Sequence, residues 1–126
     1  MAIRGFTKLL AYSKGEDLAV MIQDLSQAFP KEEQYSLTDQ VRRSSRSVCA
    51  NLAEAYGKRR YPKHFISKVT DSLGEANETV TWLRFARRFN YIDNQQYLAA
   101  EVLIEEILRL LQAMIKAPEK FCKYRE

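Results

Sequence analysis

A chain of 126 residues, 46% hydrophobic and 29% charged, holds enough apolar material for one packed domain over residues 1–126 and is unsuited to disorder. No run approaches the roughly 18 apolar residues of a membrane span, and Met1-Ala2-Ile3-Arg4-Gly5 lacks the apolar core of a signal sequence, so a cytoplasmic protein with no membrane partner is expected. The formal charge of +4 is unevenly spread: Gln40 to Asn90 carries eleven basic residues against four acidic ones, and the rest of the chain nine against twelve. Separation of this kind suits a polyanion, of which nucleic acid is the commonest.

Four helical patterns follow one another, with no repeat and no linker long enough to separate domains. The first spans about 7–29. Thr7 is a candidate N-cap, with Ser13 and Glu16 as an alternative capping box further in; Leu10, Leu18, Met21, Ile22, Leu25 and Phe29 form its stripe, and Pro30 stops it. Gly15 weakens its first half. Thr38 is the predicted N-cap of the second helix, 39–57, with Asp39 favourably placed at the positive end of the macrodipole. Its seam is Val41, Ser45, Val48, Leu52 and Ala55, and Gly57 ends it.

Pro62 suits the first turn of a third helix, 62–89, whose seam reads Ile66, Val69, Leu73, Ala76, Val80 and Leu83, with Phe65, Trp82 and Phe85 beside it. The fourth, 94–116, opens with the capping-box pair Asp93 and Gln96 and closes before Pro118. Ile104, Leu108, Leu111 and Ile115 form one stripe on it, and Leu103, Ile107, Leu110 and Met114 form another. A helix wet on so little of its circumference has either a broad core face or a face covered by another subunit. The pattern as a whole predicts an all-α, antiparallel up-down-up-down four-helix bundle.

Antiparallel neighbours bring Arg42, Arg43 and Arg46, at the start of the second helix, beside Arg84, Arg87 and Arg88 at the end of the third; Lys58, Arg59, Arg60 and Lys63 gather at the opposite turn. Any single arginine is more often part of a solvated face than a ligand contact. Together they outnumber the available acids, and a patch of this kind holds backbone phosphates by shape and charge rather than by reading bases. Asn51, Glu54 and Glu75 are candidates for a polar network that fixes helix register, with Arg43 or Arg46 as counter-charge.

Signals for catalysis are few. His64 is the sole histidine, no serine stands in a nucleophile-elbow context, and the Glu-x-x-His motifs of di-metal bundles are missing. Cys49 and Cys122 have no partner at metal-ligand spacing and read as unpaired thiols, so neither a metal nor a cofactor is expected. Arg59 and His64 match the Arg-x-x-x-x-His spacing of the helical HEPN ribonucleases, but Pro62 between them interrupts a continuous helical display.

Gln40, Arg42, Arg43, Ser44, Ser47, Val48 and Asn51-Leu52-Ala53-Glu54, with Arg59, Phe65 and Ser72-Leu73-Gly74-Glu75 following, resemble the pattern of the four-helix bundle proteins encoded within intervening sequences of bacterial 23S ribosomal RNA genes. The similarity covers almost the whole chain and includes Phe29-Pro30 with Glu33 and Tyr35, and Asn90-Tyr91-Ile92 where that family has a Gly-Tyr-Ile-like turn. Ala55 stands where a glycine is usual, and Gly74 follows a Ser-Leu pair that glycine commonly precedes; both are expected at helix-packing positions. The resemblance implies an up-and-down bundle assembled into a five-fold homo-oligomeric ring, with no known enzymatic activity. A related branch, the accessory variability proteins of diversity-generating retroelements, is similar in fold, has a basic surface and works with a reverse transcriptase and nucleic acid.

The leading expectation is therefore a non-catalytic oligomeric accessory protein that binds RNA or DNA through Arg42, Arg43, Arg46, Arg84, Arg87 and Arg88, with Arg59, Arg60 and Lys63 as further contacts. The alternatives are a protein-interaction scaffold and a HEPN-like ribonuclease using Arg59 and His64.

Overall fold

The computed structural model describes residues 2–122. Its four long helices are α1 (Leu10–Ser26), α2 (Leu37–Gly57), α3 (Pro62–Arg88) and α4 (Asn94–Lys116), and no strand occurs among the described residues. Each helix packs against two others, in the cyclic order α1, α2, α3, α4. Short connections leave consecutive helices no arrangement but antiparallel. The cross-pairs of α2 and α3 confirm the direction: Ser44 meets Thr79, Val48 meets Ser72 and Glu54 meets Lys68.

The first helix is shorter at both ends than its periodicity predicts. Ala2–Lys8 form a 3-10 helix, so Thr7 lies inside that segment and Leu9 occupies the N-cap position without a side-chain cap. Phe6 explains the break, since its ring packs edge-on against Tyr12 at 5.1 Å and Tyr56 at 6.3 Å and folds the segment onto α1 and α2. Ser13 caps nothing; its hydroxyl donates to the Leu10 carbonyl one turn back. The buried face of α1 is Ala11, Gly15, Leu18, Ile22 and Ser26, while Leu10, expected inside, is exposed. Gly15 is what lets α2 come close here, because a Cβ at this position would stand 2.8 Å from Cys49 Sγ.

The cap of α2 also comes from an unexpected residue. Thr38 is buried within the helix, and the first-turn amide of Leu37 donates instead to Glu33 Oε1 at 3.2 Å. Glu33 sits in a 3-10 turn over Lys31–Glu33; the same oxygen accepts from the Ser36 hydroxyl at 2.6 Å, and Oε2 accepts from the Tyr91 hydroxyl at 2.7 Å. One carboxylate thus ties the α1–α2 turn, the start of α2 and the α3–α4 turn together. Those hydrogen bonds, first from Ser36 and then from Tyr91, hold the Glu33 carboxyl below its usual range.

Helix α3 begins with Pro62 in its first turn, as expected, and ends with Asn90 in the left-handed region at φ 65°. There Tyr91 N–H donates to Ala86 O and Asn90 N–H to Arg87 O, the bonding pattern of a Schellman motif. Asp93 and Gln96 close a complete capping box at the start of α4.

The core falls where α2 predicts and is rotated where α3 predicts. Val41, Ser45, Val48, Leu52 and Ala55 are all buried. On α3 the inward positions are Phe65, Val69, Ser72, Ala76, Thr79, Leu83 and Ala86, with Ile66, Leu73 and Val80 only half-buried alongside. Hydroxyls occupy the centre of this interface because each has a partner: Ser72 Oγ donates to Val48 O at 2.8 Å, and Ser44 and Thr79 share a 2.8 Å hydrogen bond. Satisfied small polar groups let two helices approach closely at little desolvation cost. On α4 the core draws from both apolar stripes, burying Ile104, Ile107, Leu111 and Met114, with Leu103, Leu108, Leu110 and Ile115 half-buried. Of the two positions that depart from the family pattern, Ala55 packs in the core; Gly74 faces open space and is not a packing position.

Candidate functional site

The arginines of α2 and α3 share one end of the bundle and point to different sides of it. Arg42 reaches toward α1, where Nε donates to Ser26 Oγ at 2.7 Å, and Arg46 Nη2 donates to Gln23 Oε1 at 2.9 Å one turn along. Arg42 is half-buried in that groove and works as a bridge between the two helices. Arg43 turns the other way, to Asp39 at 4.0 Å on its own helix, a loose pair between exposed groups. None of the three pairs with Glu54, Glu75 or Glu78.

At the end of α3, Arg87 faces α4. Its guanidinium lies 3.9 Å over the ring of Tyr97, and Nη1 donates to Asn94 Oδ1 at 3.3 Å. Tyr97 is buried, and burial pushes its phenol up, helped by the hydrogen bond its hydroxyl gives to Glu101 and opposed by Arg84 and Arg87. Arg87 therefore fastens the α3–α4 turn. Arg84 and Arg88, one turn apart, are exposed, and neither forms an ion pair among the described residues, although Arg84 also reaches the Tyr97 hydroxyl on α4.

Beside them run two exposed phenylalanines, Phe85 and Phe89, 45% and 51% accessible, with ring centroids 5.8 Å apart. They form a ridge between two shallow grooves. Arg84, Arg88 and Thr81 line one of these; Tyr35, Gln40 and Trp82 line the other, at the start of α2. Trp82 is fixed by donation from Nε1 to Glu78 Oε2 at 3.1 Å, and its ring lies 6.3 Å from Phe85. Tyr35 is 87% accessible. Sequence reasoning set Phe85 beside the seam and gave Phe89 and Tyr35 no role. The available signal was the i, i+4 spacing of Phe85 and Phe89 interleaved with Arg84 and Arg88, off the core stripe.

The opposite end of the bundle is arranged differently. Arg59, in the α2–α3 turn, is folded back onto the end of α2, with Nε donating to Tyr56 O at 2.8 Å and the guanidinium 3.5 Å over the Tyr56 ring. His64 lies against Tyr61, 5.6 Å between ring centroids, in a small depression with Lys58, Ser67 and Lys68. Arg59 is not among the residues lining it. Arg60 and Lys63 are exposed beside this turn.

Among the described residues no side-chain hydrogen bond or ion pair joins Asn51, Glu54 and Glu75 to one another. Asn51 Nδ2 donates to Ser47 O within α2, and Glu54 pairs with Lys68 at 2.8 Å, a lysine also held by Asp71 at 3.4 Å. Glu75 lies seven residues from Lys68 along α3, about 10 Å along the helix axis, which takes it out of reach of Glu54. Burial raises the Glu75 carboxyl, Glu78 and Asp71 add to the rise, and Arg43 opposes it. Among the described residues no cluster of His, Cys, Asp and Glu has the geometry of a metal site. Cys49 and Cys122 are free thiols, and burial pushes Cys49 up to about 12. Among the described residues no helix is long and apolar enough to cross a membrane.

Residues 7–113 match the family model described as 23S rRNA-intervening sequence protein. The chain belongs to that family. Among solved structures, a crystal structure of a protein of unknown function from the S23 ribosomal protein family of Bacteroides thetaiotaomicron is similar, with a TM-score of 0.77 and 32% identity over 85% of this chain and 99% of that one. No curated protein matches. The intervening-sequence family match takes in α1, α2, α3 and most of α4, so Arg84, Phe85 and Arg88 on α3 and Phe89 at its C-cap all lie within it.

Proposed function

We propose that this intervening-sequence family member is a non-catalytic, oligomeric accessory protein that binds nucleic acid through the exposed end of α3. The supporting observation is Arg84 and Arg88, side by side on an open surface with no carboxylate partner among the described residues. Cations in that state displace the counterions condensed on nucleic-acid phosphates. Arg43, exposed at the same end, adds to the field, while Arg42, Arg46 and Arg87 serve mainly to join helices. A non-catalytic role accords with Arg59 being folded onto Tyr56, away from the depression that holds His64.

Assembly into a ring belongs to the same proposal. Val20 of α1 and Leu98 and Val102 of α4 are exposed apolar side chains. Covering such surface with another subunit offsets its exposure to water. A ring of five would also present five copies of a modest basic patch and raise avidity without new contacts.

RNA binding measured against salt tests the reading. Affinity should fall steeply as salt rises, and Arg84→Ala with Arg88→Ala should lower the slope of log K against log salt by about 2. A flat salt dependence in the unmodified protein sinks the proposal. Cleavage of labelled RNA that is lost in His64→Ala would replace it with the ribonuclease reading.

A further inference from the structure

Resting on the nucleic-acid reading above, we infer that the occupant of the α3 surface is single-stranded, and that Phe85 and Phe89 are the shelf on which its unpaired bases stack. Arginines alone would bind any polyanion. What separates this surface from a plain basic patch is the alternation Arg84, Phe85, Arg88, Phe89, which puts two cations and two open rings on one outward surface at the end of α3, Phe89 being its C-cap.

The rings are fixed in place and open on their outer side. Phe85 packs against Trp82, and Phe89 is edge-on to Tyr91 at 5.6 Å, with Tyr91 itself anchored to Glu33. A shelf held this way loses little freedom when a base lands on it. The two centroids are 5.8 Å apart, within reach of neighbouring nucleotides, and Arg84 and Arg88 stand where the phosphates of those nucleotides would run. In a duplex the faces of the bases are covered by their neighbours, so the rings have nothing to stack on. Every unpaired base presents a π face, which makes the preference one for strand state and not for sequence. Trp82 and Tyr35, lining the adjoining groove, extend the aromatic surface toward α2.

The test uses the full chain and a fluorescent mixed-sequence RNA about 12 nucleotides long, within the span such sites cover, offered alone and annealed to its complement. Single strand should bind more tightly than duplex. Phe85→Leu with Phe89→Leu, which keeps the apolar bulk and removes the rings, should weaken single-strand binding by about tenfold or more and leave duplex binding unchanged; Phe85→Tyr with Phe89→Tyr should retain it. Independently of any variant, emission from Trp82, the chain's single tryptophan, should be quenched by the single strand and not by the duplex.

If the Leu pair binds single strand as the unmodified chain does, or if Trp82 emission is unmoved at saturation, stacking is overturned while the salt response of Arg84 and Arg88 still supports phosphate binding. A lower assembly mass for the Leu pair in sedimentation makes the shelf a subunit contact and also overturns the inference. No binding of either RNA by the unmodified chain removes both readings.

Discussion

Replacing Gly15 with alanine sets two effects of similar size against each other. Gly15 lies inside α1, where alanine is favoured over glycine by about 1 kcal/mol. The added Cβ, however, would stand 2.8 Å from Cys49 Sγ and 3.4 Å from Val48 Cγ1. The valine contact is tight and the sulfur contact is well inside van der Waals distance. Cys49 cannot swing clear without giving up its 3.7 Å hydrogen bond to Tyr12 O, and α2 cannot retreat without loosening the Val48 packing beneath. Overpacking of this kind costs about 1–3 kcal/mol, so Gly15→Ala should destabilise by about 1 kcal/mol net. That corresponds to a fall in Tm of about 3–5 °C for a chain of this size.

The decisive comparison is with Cys49→Ala, which removes the obstructing sulfur. Alone it should cost about 1 kcal/mol for the small void it leaves. In that background Gly15→Ala should become stabilising by about 1 kcal/mol, because the propensity gain survives and the clash does not. Urea denaturation followed by far-UV circular dichroism, at one fixed protein concentration, reads all four members of the cycle. Additive effects, with a coupling energy below about 0.5 kcal/mol, would refute the claim that Gly15 is required for the approach of α2.

Three further outcomes follow from the same geometry. Gly74 is in mid-α3 with nothing within 4 Å of the point where a Cβ would stand, so Gly74→Ala should raise stability by about 1 kcal/mol in the same urea assay. Asn90, at φ 65°, should tolerate glycine and reject valine; Asn90→Val should cost about 1–2 kcal/mol through left-handed strain alone, read as a lower urea midpoint at unchanged m-value. The Tyr91 phenol is pushed up from 10.0 to about 12, chiefly by the hydrogen bond it gives to Glu33. The folded state therefore favours its neutral form, and the stability it contributes is fully present below pH 10 and lost as pH rises toward 12. Tyr91→Phe should make the stability profile shallower across that window; an unchanged slope there would show that the Glu33 bond does not hold the proton.

Much of the bundle was legible because local chemistry writes it. Pro118 stops α4 by removing a donor, α2 runs out at Gly57, Pro62 and Asp93 start helices, and the seam of α2 follows from spacing alone. The starts of α1 and α2 were not legible, because the decisive partners are distant or lie on the wrong side of the boundary. Phe6 breaks the first helix by docking on Tyr56, and Glu33 caps α2 from the preceding turn. For the site, the sequence supplied the arginines and their common end of the bundle, and the structure sorted them. Arg42, Arg46 and Arg87 found uncharged partners on other helices, Ser26, Gln23 and Asn94, which no charge count predicts.

The sequence by itself determined four antiparallel helices, since period, stops and short turns are properties of neighbouring residues. The tertiary structure decided which way each helix faces. On α3 a stripe through Leu73 and Val80 and one through Ser72 and Thr79 are both compatible with the same Val69, Ala76 and Leu83. The second lies inward because Val48 O and Ser44 on α2 satisfy its hydroxyls. That rotation fixes which residues of α3 face water, and it is why Arg84, Phe85, Arg88 and Phe89 share an open surface. Periodicity defines a stripe only to within about one residue in the 3.6-residue turn; the choice within that width belongs to the packing partner.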